Sequence, residues 1–289
     1  MSESKVMVVT GATNGIGEAA AIELASQGHR VGIVGRNPAK ADKTEARIKA
    51  VTPDATVDVF IGDLAVMSEV HKVADQILDR YDHIDVLINN AGIQLQQQRQ
   101  TSEGLPEMIA VNYLAPWLLT QLLRDRLVDS APARVVVTAS EAHRIGWTID
   151  PDTILTDTSP FGPAGIMNAY GKSKLLDVLF TLELADQLDG TGVTANCCCP
   201  GLVATGLVGS DNAMDRFATA LSATPLVRRP DQGARVLVRL ATDPAFASRT
   251  GEFISSTPFA NLVPSIPALR DVKLRRRLWE NTERLLDGS

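Results

Sequence analysis

Cysteine is nearly absent from the 289 residues: there are three, and they are consecutive, Cys197, Cys198 and Cys199. Neighbours on an extended segment point to opposite faces, so neither a disulfide framework nor a metal site is expected, and the run belongs by default to a buried strand and its end. A basic surplus is also lacking. Lys and Arg number 28 against 34 Asp and Glu, a net charge of −6, which excludes a uniformly basic nucleic-acid surface. No apolar run approaches the roughly 18 residues of a spanning helix, and Val6 to Val9 is too short for a signal peptide. No nucleic-acid partner and no stable membrane insertion are therefore expected, and the protein is placed in the cytoplasm. Low-complexity linkers and internal repeats are missing too; the Gln-rich stretch from Gln94 to Gln100 reads as a surface loop. With 45% hydrophobic and 21% charged residues, disorder is excluded, and residues 1–289 are read as one domain.

What is present is alternation. Short β-branched runs at Val6–Val9, Arg30–Val34, Thr56–Ile61, Asp85–Ile88, Arg134–Thr138 and Val193–Cys197 are separated by helical patterns at Gly15–Gln27, Ala39–Ala50, Val66–Arg80, Pro106–Val128 and Asn168–Leu188. The runs are nearly continuously apolar, as in strands covered on both faces. A seventh short strand is expected within Gly251–Ser255. The order predicts an α/β fold, a doubly wound Rossmann-type domain with a mostly parallel sheet of about seven strands.

The first run leads into Thr10-Gly-Ala-Thr-Asn-Gly-Ile-Gly17 and then an alanine-rich helix. Glycine permits positive φ in a tight strand-to-helix turn, and absent side chains let the helix N-terminus approach a pyrophosphate. Gly11, Thr13, Asn14, Gly15, Ile16 and Gly17 are thus candidate cofactor residues. The second run ends in Gly35-Arg36. An acid there would suit a ribose 2′-hydroxyl, whereas arginine suits a 2′-phosphate, so NADP(H) is the preferred cofactor, with NAD(H) left open. Asp63 and Leu64, and Asn90, Ala91 and Gly92, close the third and fourth runs, where small and polar groups can meet an adenine and a ribose.

Asn168-Ala-Tyr170-Gly-Lys-Ser-Lys174 opens a predicted helix and places Tyr170 and Lys174 on one face. A phenol with an ordinary pKa near ~10 needs help to ionise at neutral pH, and an ammonium one turn away is a natural source. Taken in order, the glycine turn, Asn89-Asn-Ala-Gly92, Ser140, Tyr170 to Lys174 and Pro200-Gly201 resemble the short-chain dehydrogenase/reductase superfamily over roughly residues 5–255. Gly35-Arg-Asn-Pro-Ala-Lys40, Val111-Asn-Tyr-Leu114 and Tyr170-Gly-Lys-Ser-Lys-Leu175 are similar to its retinol-dehydrogenase-like branch. The resemblance implies catalytic roles for four residues. Tyr170 would exchange the proton with a carbonyl or alcohol oxygen, Ser140 would hold that oxygen, and Lys174 would lower the Tyr170 pKa and hold the nicotinamide ribose. Asn112 would place a water in a relay to Lys174, although its helical setting alone reads as an ordinary surface asparagine. Thr205, after Pro200-Gly201, matches the position that contacts the nicotinamide carboxamide. Two departures stand out: Asn14 replaces a basic residue common in NADP-preferring members, leaving Arg36 largely alone, and Ala139 replaces a second serine.

Two segments break the alternation, 141–167 and 202–229, and emerge where ligands of open α/β sheets bind. They are candidate lids. Trp147, Ile149, Phe161, Ile166, Met167, Leu202, Leu207, Met214 and Phe217 are expected either to wall a lipophilic pocket or to pack the lids onto the domain. Residues 268–286 read as an amphipathic helix with a basic cluster at Arg275 to Arg277, more at home docked on its own domain or a subunit interface than on a membrane. The expectation is an NADP(H)-dependent oxidoreductase acting on a small-molecule alcohol or carbonyl, forming a homo-oligomer. A non-catalytic NADP(H)-binding sensor or scaffold is the alternative. A sugar-nucleotide epimerase or dehydratase is disfavoured by the glycine spacing and the short C-terminal part.

Overall fold

A computed structural model describes residues 4–203 and 228–287. Seven strands are present among the described residues: β1 (Val6–Thr10), β2 (Arg30–Gly35), β3 (Val57–Ile61), β4 (Val86–Asn89), β5 (Ala133–Thr138), β6 (Val193–Cys199) and β7 (Phe253–Ser255). They form one sheet in the order β3-β2-β1-β4-β5-β6-β7, with every pairing parallel. In register, Val8 stands between Gly32 of β2 and Leu87 of β4. The chain moves from β1 outward to β3 and then returns across it to β4, so the crevice of an open sheet lies at the carboxyl ends of β1 and β4. The three cysteines close β6, free and buried. The last strand is shorter than the expected span because Gly251, at φ +72°, still belongs to the preceding turn.

Helices cover both faces. On one, α1 (Gly15–Ser26), α2 (Pro38–Val51) and α8 (Pro230–Thr242) pack on Met7, Val9, Ile33 and Ile88. Asn37 caps α2 by accepting from the Lys40 N–H at 3.1 Å, and Pro38 follows at the first helical position, where no N–H is needed. The other face carries α3 (Met67–Arg80) and α7 (Ile166–Gln187) among others. Met67, Val70, Val73, Ala74 and Ile77 recur at helical spacing, and all are buried.

The expected helix over 106–128 is interrupted. It consists of α4 (Glu107–Ile109), a π-helical turn at Ala110–Leu114, α5 (Ala115–Leu122) and α6 (Arg124–Asp129). Pro116 has no N–H to offer the Asn112 carbonyl four residues back, so the regular ladder cannot pass this point. The C-terminal helix begins later than expected. A 3-10 turn occupies Pro267–Arg270, and Asp271 caps α9 (Val272–Leu286), accepting from Leu274 N–H at 3.0 Å. The helix docks on its own chain: Trp279 stacks on Phe180 and meets Trp117 edge-on, and Thr282 shares a 2.7 Å hydrogen bond with the Tyr113 hydroxyl. The basic cluster is partly spent in this docking, with Arg275 paired to Asp186 and Arg277 to Asp152. No helix among the described residues is long and apolar enough to cross a membrane.

Candidate active site

The glycine turn is built against the end of β4. Gly11 and Gly15 take φ values of +65° and +56°, which glycine alone adopts freely. A Cβ on Gly17 would lie 2.4 Å from both Asn90 Nδ2 and the Gly11 carbonyl oxygen. Thr10 latches the two segments together, its Oγ1 accepting from the N–H groups of Asn90 at 2.9 Å and Ala91 at 3.0 Å. Asn90 Nδ2 donates back to the Thr10 carbonyl at 3.0 Å. Turn and strand end thus form one rigid rim beside the N-terminus of α1, where orphan N–H groups favour an anion.

A cavity of about 890 Å³ opens along this rim, large enough for a dinucleotide with part of a substrate. Gly11, Thr13, Asn14, Gly15 and Ile16 line it, whereas Gly17 lies behind the turn. Arg36, Asp63 and Leu64 stand at one end, Asn90, Ala91 and Gly92 along the middle, and Pro200 and Gly201 opposite. Thr205 falls outside the described residues. Arg36 is 71% exposed at its side chain and stands 3.6 Å from the Asp63 carboxylate. It is not alone, contrary to expectation: Lys40, one turn into α2, lines the same end. The Asn37 cap and Pro38 start the helix so early that Lys40 falls on its first turn. That local signal was present in Arg36-Asn-Pro-Ala-Lys40 and was missed.

At the other end the cavity is lined by Ser140, Tyr170 and Lys174. Ser140 lies two residues beyond β5 and caps a 3-10 turn, Glu141–Arg144, its Oγ accepting from Ala142 N–H at 3.1 Å. That leaves its O–H free to donate. The turn sits tight on α7 through two glycines. A Cβ on Gly171 would come within 2.6 Å of the Ala142 carbonyl, and one on Gly146 within 2.2 Å of Lys172 N. Tyr170 and Lys174 project from α7 one turn apart, both buried rather than on the surface.

Asn112 is also buried, at 1% exposure, rather than the surface asparagine its helical setting implies. Both ends of its side chain are engaged: Oδ1 accepts from Ile93 N–H at 2.8 Å, and Nδ2 donates to the Ile93 carbonyl at 3.0 Å and to Ser173 Oγ at 2.9 Å. It therefore binds the segment after β4 to α7. Gly92 borders both groups: a Cβ there would meet Asn112 Oδ1 at 3.4 Å and Lys174 Nζ at 3.5 Å, ordinary contact distances.

The electrostatics differ from expectation. Burial pushes the Tyr170 hydroxyl pKa up; Lys174 and the Ser140 hydroxyl pull it down without overcoming burial, and Asp177 pushes it further up. Lys174 Nζ donates to the Thr138 carbonyl at 2.9 Å and to Asp177 Oδ2 at 2.7 Å. Burial opposes the ammonium charge, but Asp177 and then Tyr170 outweigh it and hold Lys174 above the usual lysine range. Asp177, also buried, is pushed up to about 6. Its spacing from Lys174 is visible in the sequence, but only burial turns the pair into part of the site.

The expected apolar walls are only partly there. Met167 and Leu202 line the cavity, joined by Ile93, Val111 and Ile145. Ile149 packs on the main core and Phe161 on a small cluster of Leu95, Met108, Ala142 and Tyr170, while Trp147 is 62% exposed and Ile166 lies outside the lining. Leu207, Met214 and Phe217 fall outside the described residues. Among the described residues no group of His, Cys, Asp and Glu could hold a metal ion.

Residues 5–150 match the short chain dehydrogenase family. Over 98% of its length the chain is 33% identical to human retinol dehydrogenase 13, covering 84% of that protein. It is 35% identical to human retinol dehydrogenase 12, again over 98% of this chain and 86% of the relative. The crystal structure of levodione reductase superposes on 90% of this chain and 98% of its own, with a TM-score of 0.71 at 21% identity. A glycine rim at the β1–β4 crevice, a buried Tyr170–Lys174 pair and full-length similarity to retinol dehydrogenases agree. The chain belongs to the short-chain dehydrogenase/reductase family, in its retinol-dehydrogenase-like branch, and is an oxidoreductase acting on alcohol or carbonyl groups.

Proposed function

We propose that the protein is an NADP(H)-dependent enzyme that interconverts lipophilic alcohols with their aldehydes or ketones. The observation that carries this reading is one continuous cavity with two cations, Arg36 and Lys40, at one end and Ser140, Tyr170 and Lys174 at the other. The residues present fit the cofactor: the α1 N-terminus and the glycine rim would take the pyrophosphate, and Arg36 with Lys40 the 2′-phosphate. Bound there, NADP(H) supplies or accepts the hydride.

The side chains of the protein handle the rest. In reduction the Tyr170 hydroxyl gives its proton to the carbonyl oxygen while Ser140 donates a hydrogen bond to that oxygen, stabilising its growing negative charge. Lys174 has a third N–H beyond those given to Thr138 and Asp177, and it holds the ribose hydroxyls. Asn112 fixes the segment that borders both. Ile145, Met167 and Leu202 are substantially exposed at the cavity, so an apolar substrate would cover them and exclude water from the reacting groups. Ser140, Tyr170 and Lys174 around one cavity, with Asn112 bracing the segment beside them, favour turnover over a purely binding role.

NADPH and NADH consumption against lipophilic and small hydrophilic carbonyls tests the proposal. Lipophilic substrates with NADPH should turn over fastest, and Tyr170→Phe should lower kcat by about a hundredfold or more. Undiminished turnover in that variant, or a preference for hydrophilic carbonyls, would refute it.

A further inference from the structure

Asp177 lies three residues beyond Lys174 on α7 and is 1% exposed. One carboxylate oxygen accepts from Lys174 Nζ at 2.7 Å, and the other, Oδ1, has no hydrogen-bond partner among the described residues. A buried ion pair with an unsatisfied oxygen is a weak stabiliser, and an apolar side chain could fill the same place. The pair calls for a reason other than stability.

The titratable groups in and around this cluster come from three elements: Tyr170, Lys174 and Asp177 on α7, Tyr113 in the π-helical turn, and Cys197, Cys198 and Cys199 on β6. Burial pushes Tyr113 up and Cys197 up to about 12, so both are neutral in the physiological range. With Tyr170 a neutral phenol, the Tyr170–Lys174–Asp177 cluster carries one positive and one negative charge. Removing a proton then leaves a net negative charge in a buried site. Without the Asp177 charge, the same loss takes the cluster from +1 to zero. Asp177 therefore makes the first proton harder to remove, whichever of Tyr170 and Lys174 gives it up.

We propose that Asp177 is a positioning residue that acts through the Lys174 ammonium to hold the Tyr170–Lys174 pair in its proton-bearing form, keeping Tyr170 ready to protonate a carbonyl and confining alcohol oxidation to alkaline solution. This rests on Tyr170 being the acid and base proposed above. In reduction the carbonyl carbon takes the hydride from the reduced nicotinamide, its oxygen takes the phenol proton, and Tyr170 regains a proton from solvent. Oxidation needs the pair one proton short, the form that Asp177 disfavours. The rates at a given pH change, and the reaction equilibrium does not.

Asp177→Asn keeps the shape and an oxygen for Lys174 and removes the charge. The measurement is kcat/KM for alcohol oxidation across pH at saturating NADP⁺, for wild type, Asp177→Asn, Asp177→Glu and Tyr170→Phe. In Asp177→Asn the midpoint of the rising limb should move down by about one pH unit or more, giving about tenfold faster oxidation on the acid limb, and Asp177→Glu should restore it. A merely structural role would lower the whole profile without moving its midpoint. An unmoved midpoint overturns this inference alone. Turnover absent from the wild type, or surviving Tyr170→Phe, overturns the proposed function and the inference with it. Should Asp177→Asn be insoluble, Asp177→Ser, also neutral, is judged by the same midpoint.

Discussion

Replacing Arg36 by alanine removes a guanidinium from the cofactor end of the cavity with little cost to the fold. Its side chain is mostly exposed and its contact with Asp63 is 3.6 Å, a surface pair worth about 0–1 kcal/mol at most. A charge-assisted hydrogen bond to a 2′-phosphate is worth roughly 1.5–3 kcal/mol, so NADPH binding should weaken roughly tenfold to 150-fold. Arg36 also neutralises Asp63, and its loss leaves that carboxylate facing the phosphate. Arg36→Ala with Asp63→Asn should therefore recover part of the affinity. Lys40→Ala should cost less, because an ammonium offers a point charge without a bidentate fork. NADH, which has no 2′-phosphate, should bind within about twofold of wild type in Arg36→Ala and in Lys40→Ala. Fluorescence titration of both cofactors at fixed ionic strength measures this, since exposed charges are screened by salt. Equal weakening of NADPH and NADH, or an unchanged ratio of their affinities, would refute the assignment of this end to the 2′-phosphate.

Two further predictions concern the frame of the site and the outer sheet. Gly146→Ala would place a Cβ 2.2 Å from Lys172 N and 2.3 Å from Gly171 C, both backbone, so the turn carrying Ser140 must move off α7. A loss of about 1–3 kcal/mol in denaturant unfolding, with a fall in kcat, is expected, and wild-type values of both would contradict the packing argument. Asp58 sits at the junction of β2, β3 and α3. Burial opposes its charge, but hydrogen bonds from Arg30, Arg80 and Tyr81 outweigh it and hold its pKa below the usual carboxylate value. A group with a depressed folded-state pKa contributes stability above its unfolded value and loses it as pH falls through the folded one. Asp58→Asn should therefore lower the urea midpoint at neutral pH, with the gap to wild type closing below about pH 4. A gap independent of pH would show that the charge is not what matters.

Much of the molecule is legible without coordinates, because the relevant information is local. A strand buried on both faces is apolar at most positions, so β1, β2, β4 and β6 announce themselves, and the same reasoning placed the three cysteines. The turn from Gly11 to Gly17 is likewise local, as is the one-turn spacing of Tyr170 and Lys174. Lys40 could have been found by the same means, since a capping asparagine and a proline fix where α2 begins. Other features depend on what a residue meets from distant parts of the chain. A helical asparagine says nothing of Ile93 and Ser173, which occupy the Asn112 side chain. Trp147, Ile149, Phe161, Ile166 and Met167 suit a pocket wall and lid packing equally in the sequence, and distant neighbours decide: Ile149 packs on the main core and Phe161 on the cluster of Leu95, Met108, Ala142 and Tyr170.

Periodicity and turn chemistry in the sequence determined the order of elements, the parallel sheet and the residues that converge at the β1–β4 crevice. The tertiary structure decided their charge states. An Asp three residues after a Lys is an ordinary solvated pair on an exposed helix. With β6, the π-helical turn and the rest of the core packed around α7, the same two residues lose their water, and Tyr170 with them. Desolvation is set by neighbours that are remote in sequence, and it is desolvation that makes proton exchange among Tyr170, Lys174 and Asp177 collective.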